Sequence, residues 1–496
     1  MPALARPAEL SLIRDRGHAP HLVPASKDRF PGFDANKVQI VAEDPVSTFS
    51  IDVDTTSYAF TRRLLEMGER PEPDAIRVEE LINYFDYDYG APDQADAPFA
   101  STVTVTHSPW KSGNRLVHIG IKSPRLHTET LPPANLVLLI DTSGSMNTPD
   151  KLPLLKRAFA LLVNAMRADD TISIVTYAGS AGIALEPTPG SQKAKILAAL
   201  EALEPGGSTA GSKGIESAYR LAGQDFRKDG INRVLLATDG DFNVGISEPE
   251  ALERLIEQKR GEGISLSVLG FGRGNYNDRV MQALAQAGNG NASYIDSYSE
   301  ARKVLVEEMG GTLMTVARDV KVQVDFNPAT VSEYRLIGYE TRLLDREDFN
   351  NDAVDAGDIG AGHSVTAIYE ITPKGADGAN DPLRYEHPVT AASGNIDEYG
   401  FLKIRYKAPD GDVSELIETP ILAEAQSAPL DDANEDTRFA VAVAAFGQKL
   451  RNSSYLAGMD WADIRNLAVA GRGADESGRR AEFIRLIDIA SGLDNL

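Results

Sequence analysis

Asp141, Ser143 and Ser145 alternate along Asp141-Thr142-Ser143-Gly144-Ser145, and each carries a hard oxygen. Leu136 to Ile140, just before them, is an unbroken apolar run. A run without alternation predicts a strand buried on both faces. Gly144 lets the backbone turn sharply between the two serines. Thr148 and Pro149 then offer an N-cap and a first helical residue. A carboxylate and two hydroxyls thus gather on a tight loop at the carboxyl end of a strand, the edge where open α/β sheets bind ligands. Oxygens converging there suit Mg2+ or Mn2+ rather than zinc, which prefers nitrogen and sulfur.

The elements around this loop alternate as an α/β unit from 131 to about 311. Leu152, Leu155, Phe159, Leu162 and Met166 recur at helical spacing and predict an amphipathic helix after the loop. Strands are expected at Thr171–Tyr177, Ala181–Glu186, Arg233–Ala237, Ser265–Phe271 and Ser293–Ile295. Helices are expected at 193–203, 211–221, 248–259 and 278–287, with a closing helix over Glu300–Met309.

Asp141-x-Ser143-x-Ser145 resembles the metal-ion-dependent adhesion site of von Willebrand factor type A domains. Two further parts of that site stand in the family's order. Gly206-Gly207-Ser208-Thr209 precedes a helical stretch, and Thr238-Asp239-Gly240 ends an apolar strand. The resemblance implies that Thr209 and Asp239 complete the ligand set of Asp141, Ser143 and Ser145. It implies water-mediated or state-dependent ligation by Asp141, Asp239 and Thr209. One position stays open for an Asp or Glu carboxylate of a partner protein. The serine hydroxyls can coordinate directly. Asp241 reads as a solvated turn residue.

A second acidic turn, Asp52-x-Asp54-x-Thr56, follows Ser50-Ile51. It fits a capping or structural role, a second cation site, or the phosphoaspartate loop of haloacid-dehalogenase-like phosphatases. His118 lies in the strand pattern Leu116–Lys122 and reads as a half-buried strand residue. No histidine falls between 131 and 311 to serve as a base beside a metal. The expected function is therefore non-enzymatic, metal-dependent protein binding. The alternatives are a structural envelope-associated protein whose metal only stabilises the fold, and a metal-dependent hydrolase.

Composition narrows the classes. The 496 residues call for more than one core. A net charge of −23 opposes binding to phosphate backbones, so no nucleic-acid partner is expected. The absence of cysteine removes disulfides and thiolate metal sites. No apolar run approaches the ~20 residues of a membrane span. No signal peptide is visible near the start.

The domain reading is a flexible arm over 1–44, a family-specific α/β segment over 45–92, and sandwich strands over 93–130. The type A domain takes 131–311, the sandwich continues over 312–428, and 429–496 is helical. The fold class is Rossmann-like α/β, a mostly parallel sheet flanked by helices, with a flanking β-sandwich and a helical C-terminal region. Ser50–Thr55, Val78–Phe85 and Leu336–Glu340 resemble bacterial YfbK-like type A proteins. That family often carries an envelope-directing leader, which would place the protein in the periplasm or envelope; without one it would be cytoplasmic.

Overall fold

The computed structural model describes residues 28–496, apart from 52–53, 91, 93–96, 126–130, 179, 208–210, 241–248, 382–395, 410, 424–428, 457 and 495–496. The chain opens with β1 (Gln39–Ile40), β2 (Val46–Ser50), α1 (Thr56–Glu66), α2 (Val78–Ile82), β3 (Ala100–His107) and β4 (Arg115–Lys122). The α/β unit then runs β5 (Ala134–Asp141), α3 (Leu152–Ala165), β6 (Thr171–Tyr177), β7 (Ala181–Pro189), α4 (Lys193–Glu201), α5 (Gly211–Gln224) and β8 (Ile231–Thr238). It continues with α6 (Pro249–Gly261), β9 (Ser265–Phe271), α7 (Asp278–Ala287), β10 (Ala292–Ile295), α8 (Tyr298–Arg302) and α9 (Met309–Leu313). β11 (Thr315–Phe326), β12 (Val331–Ile337), β13 (Gly357–Gly360), β14 (Ser364–Pro373), β15 (Glu398–Lys407) and β16 (Ser414–Leu422) follow. The chain closes with α10 (Glu435–Leu450), α11 (Trp461–Ala470) and α12 (Arg479–Asp494).

β5 is central to a six-stranded sheet of order β10-β9-β8-β5-β6-β7. All pairings are parallel except the edge pair β6–β7. Period two divides the apolar run between two cores. Val137 and Leu139 face α1, α5, α6 and α7, and Leu136, Leu138 and Ile140 face α3, α4 and α8. From β5 the chain goes first to β6 and later crosses to β8, so the strand order reverses at β5. That reversal opens a crevice at the carboxyl ends of β5 and β8.

Strands from both sides of the α/β unit share one antiparallel sheet, β1-β12-β14-β4-β3. A second sheet, β13-β11-β15-β16 with β2 also on β11, packs against it, and side chains of both sheets form one core. The α/β unit is thus inserted in a β-sandwich. The last three helices share one apolar core with α1 and α2, α10 lying on α2, with Phe85, Phe439, Phe446 and Phe483 at the centre. No helix among the described residues is long and apolar enough to cross a membrane.

Several details differ from the sequence expectation. The closing helix is broken: α8 ends at Arg302, a π-helical turn occupies Lys303–Glu307, and α9 begins at Met309. α3 starts at Leu152 with Lys151 as its N-cap, not at Pro149. β13 lies inside the acidic, glycine-rich stretch 345–362, and β16 is a further edge strand of the sandwich. The segment read as an arm is pinned from residue 28. The Asp28 carboxylate accepts the Gly274 and Tyr276 amides at 2.8 Å, and Asn36 donates to the Gly338 carbonyl at 2.7 Å.

Candidate metal centre

Asp141 is the last residue of β5 and is fully buried. Its Oδ1 accepts the Ser143 amide at 2.8 Å, which curls the loop back on the strand end. Ser143 and Ser145 flank Gly144 in a short 3-10 turn, and their hydroxyls lie 3.0 Å apart. The stem of the second loop joins the first through two backbone hydrogen bonds, Gly206 N to Thr142 O at 2.7 Å and Gly144 N to Gly207 O at 3.1 Å. Thr209 lies outside the described residues.

The third loop leaves β8 at Thr238. The Thr238 hydroxyl donates to Asp141 Oδ2 at 3.5 Å and accepts the Gly240 amide at 3.2 Å. Asp239 is fully buried. Gly240 has φ +95, and a Cβ there would lie 2.5 Å from the Tyr276 Cα, so only glycine makes this turn. Asp241 lies outside the described residues. Asp141, Ser143, Ser145 and Asp239 are thus brought to one sheet edge, at the crevice between β5 and β8.

Burial pushes the Asp141 carboxyl up to about 6; the Ser143 hydrogen bonds oppose the shift, and the nearby Asp239 charge adds to it. One partner of Asp239 is a residue that sequence reasoning missed. Lys151 Nζ donates to Asp239 Oδ2 at 2.8 Å, with both side chains buried. The aliphatic stem of Lys151 passes over Gly272, where a Cβ would stand 2.3 Å from Lys151 Cγ. One signal was available: a cation at a helix N-terminus opposes the macrodipole and calls for a specific partner.

The donor set suits a hard divalent cation. Among the described residues no group of three or more His, Asp or Glu side chains could hold an ion, and the other side-chain oxygens beside Asp141 are the hydroxyls of Ser143, Ser145 and Thr238. Asp141 and Asp239 are two buried carboxylates, Lys151 pairs with Asp239, and the Ser143 and Ser145 hydroxyls add oxygen donors of the kind a hard cation takes. Lys151 already shows a cation on Asp239.

His118 and Asp54, the other candidates among the described residues, have structural partners. His118 is buried, with Nε2 at 3.0 Å from the Tyr89 hydroxyl and Nδ1 at 3.2 Å from the Thr437 hydroxyl. Asp54 accepts the Ala292 amide at 2.8 Å and pairs with Arg342 at 3.3 Å, so it ties the α/β unit to the sandwich. Asp52 lies outside the described residues.

Three family models match the chain. The C-terminal region of uncharacterized protein YfbK matches residues 311–493, von Willebrand factor 24–118, and the von Willebrand factor type A domain 136–241. Uncharacterized protein YfbK of Escherichia coli (strain K12) is 48% identical over 97% of this chain and 84% of its own. Inter-alpha-trypsin inhibitor heavy chain H3 of Homo sapiens is 28% identical over 49% of this chain, and the match spans 29% of that relative's length. Proximal thread matrix protein 1 from the mussel byssus, solved with a zinc-occupied MIDAS motif, is 25% identical over 36% of this chain and 45% of its own, with a TM-score of 0.31. Type A domains serve in general as protein-interaction modules. The near full-length match places this chain, and not its α/β unit alone, in the YfbK family of von Willebrand factor type A proteins.

Proposed function

We propose that this protein is a non-enzymatic, metal-dependent protein-binding module. Ser143, Ser145, Thr209, Asp141 and Asp239 hold Mg2+ or Mn2+, directly or through water. The ion leaves one position for an Asp or Glu carboxylate of a partner protein. Mg2+ takes near-ideal octahedral geometry and keeps several waters, one of which an outside carboxylate can replace.

The observation that carries the reading is the pairing of two buried carboxylates with two hydroxyls 3.0 Å apart at the crevice between β5 and β8. A purely stabilising ion is the weaker reading. Backbone hydrogen bonds already join the first and second loops, and Thr238 joins the first and third. The test is capture of partners from a lysate of the source organism with Mg2+, with chelator, and with Asp239→Ala. Metal-dependent capture that the variant loses supports the reading. Capture indifferent to chelator contradicts it.

A further inference from the structure

Lys151 is held in an unfavourable place with considerable structure around it. It is buried at the N-cap of α3, where the helix dipole opposes a cation. Its amide donates to the Thr148 carbonyl at 3.0 Å and its carbonyl accepts the Leu155 amide at 2.8 Å, which fixes its backbone. Gly272, with φ +75, clears the channel for its stem. Both walls of that channel hang from one arginine of α1. Arg63 binds the carboxylate of Asp150, the residue before Lys151. Arg63 also donates to the Tyr294 hydroxyl at 2.9 Å, and that hydroxyl donates to the Gly272 carbonyl at 2.8 Å. α1 precedes the 136–241 stretch matched by the type A model, so the lysine is positioned from outside that stretch.

We propose that Lys151 is a tethered cation that competes with the divalent metal for Asp239 and so sets the metal concentration at which the site fills. The inference rests on the metal-binding reading above. An ammonium 2.8 Å from Asp239 Oδ2 occupies a lone pair that a metal, or a metal-bound water, also needs. Two cations on neighbouring oxygens repel strongly in a buried pocket. Metal entry therefore moves the ammonium off Asp239. An incoming partner carboxylate lowers that barrier, because it adds negative charge beside both cations. The lysine thus favours metal bound together with partner over metal bound alone.

The test uses the full chain. Mn2+ is titrated into wild type and Lys151→Met, whose unbranched stem still fills the Gly272 channel. The expected result is affinity tighter by roughly tenfold or more in the variant. Equal or weaker affinity in Lys151→Met, with wild-type binding intact, overturns the inference alone. Absence of Mn2+ binding in both proteins overturns the metal reading and this inference with it. A second measurement needs no variant. Wild type is acylated with an amine-reactive reagent with and without saturating Mn2+, and Lys151 is read by mass spectrometry. Labelling should rise several-fold with Mn2+; unchanged labelling overturns the displacement.

Discussion

Arg62 of α1 donates to Glu300 of α8 at 2.8 Å, with both side chains buried. The same guanidinium binds Asp296 and reaches Glu482 of α12 at 3.1 Å. The Tyr84 hydroxyl donates to Glu300 at 2.8 Å. The start of the last helical segment of the α/β unit is thus clamped to the N-terminal and C-terminal helices at once. Burial works to lower the Arg62 pKa, but Tyr84, Glu300 and Asp296 around the guanidinium outweigh it and hold the value well above its usual one.

Removing one partner of such a network leaves uncompensated buried charge. Arg62→Ala is expected to lower unfolding free energy by about 3–5 kcal/mol, measured by urea denaturation. A loss below about 1 kcal/mol would mean that Asp296 and Glu300 find other partners or take up protons on their own.

The clamp also bears on signal relay. A shift of the proposed ion would reach β11 through the closing helix. The Arg62 network resists that movement. Hydrogen exchange over 298–313 should be the same in Mg2+ alone and in Mg2+ with captured partner. A clear loss of protection on partner binding would show that the helix moves despite its anchors.

Glu79 supplies a pH prediction. It is buried on α2, and burial, with Glu340 and Glu80 nearby, pushes its carboxyl up to about 7. The folded value is above the unfolded one, so the folded state holds the proton more tightly. Stability from this group is therefore full below about pH 4 and is lost as pH rises through 7. Glu79→Gln should stabilise the protein by about 3 kcal/mol at pH 8 and by almost nothing at pH 4. Thermal unfolding at the two pH values checks the sign. Equal effects at both would remove Glu79 as the cause.

Gly240 makes a sharper structural prediction. Alanine there would combine a left-handed φ of +95 with a Cβ 2.5 Å from backbone of the Tyr276 turn. Gly240→Ala should destabilise by roughly 2–4 kcal/mol and displace Asp239. Thermal melts together with Mn2+ titration would show both losses. A variant of native stability would mean that the Tyr276 turn yields easily.

The legible parts were those whose signal is local. β6, β9 and α7 run as their patterns predict, because apolar period and flanking turns fix their ends. The placement of Asp141, Ser143 and Asp239 at strand ends was legible, because each ends a strand or sits in the turn after it. The role of Lys151 left only one local trace, a cation at a helix start, since its partner lies 88 positions away and its stem passes over Gly272. Residues 28–44 read as a free arm because Asp28 and Asn36 act through long-range hydrogen bonds that leave no periodicity. β13 was hidden by its two glycines, of which Gly360 allows close approach to Gly311, because glycine weakens any strand pattern. The break in the closing helix is a π-turn, and apolar spacing does not mark where one falls.

The central claim is that the loop after β5 holds a divalent ion. Calorimetric titration of Mg2+ and Mn2+ into wild type and Asp141→Ala tests it most directly. Asp141 ends its strand on a loop and its side chain is not part of either apolar core, so the variant should keep its far-ultraviolet circular dichroism. The account predicts saturable binding of about one ion to wild type and none to Asp141→Ala at the same concentrations. Equal metal affinity in the two folded proteins would contradict it.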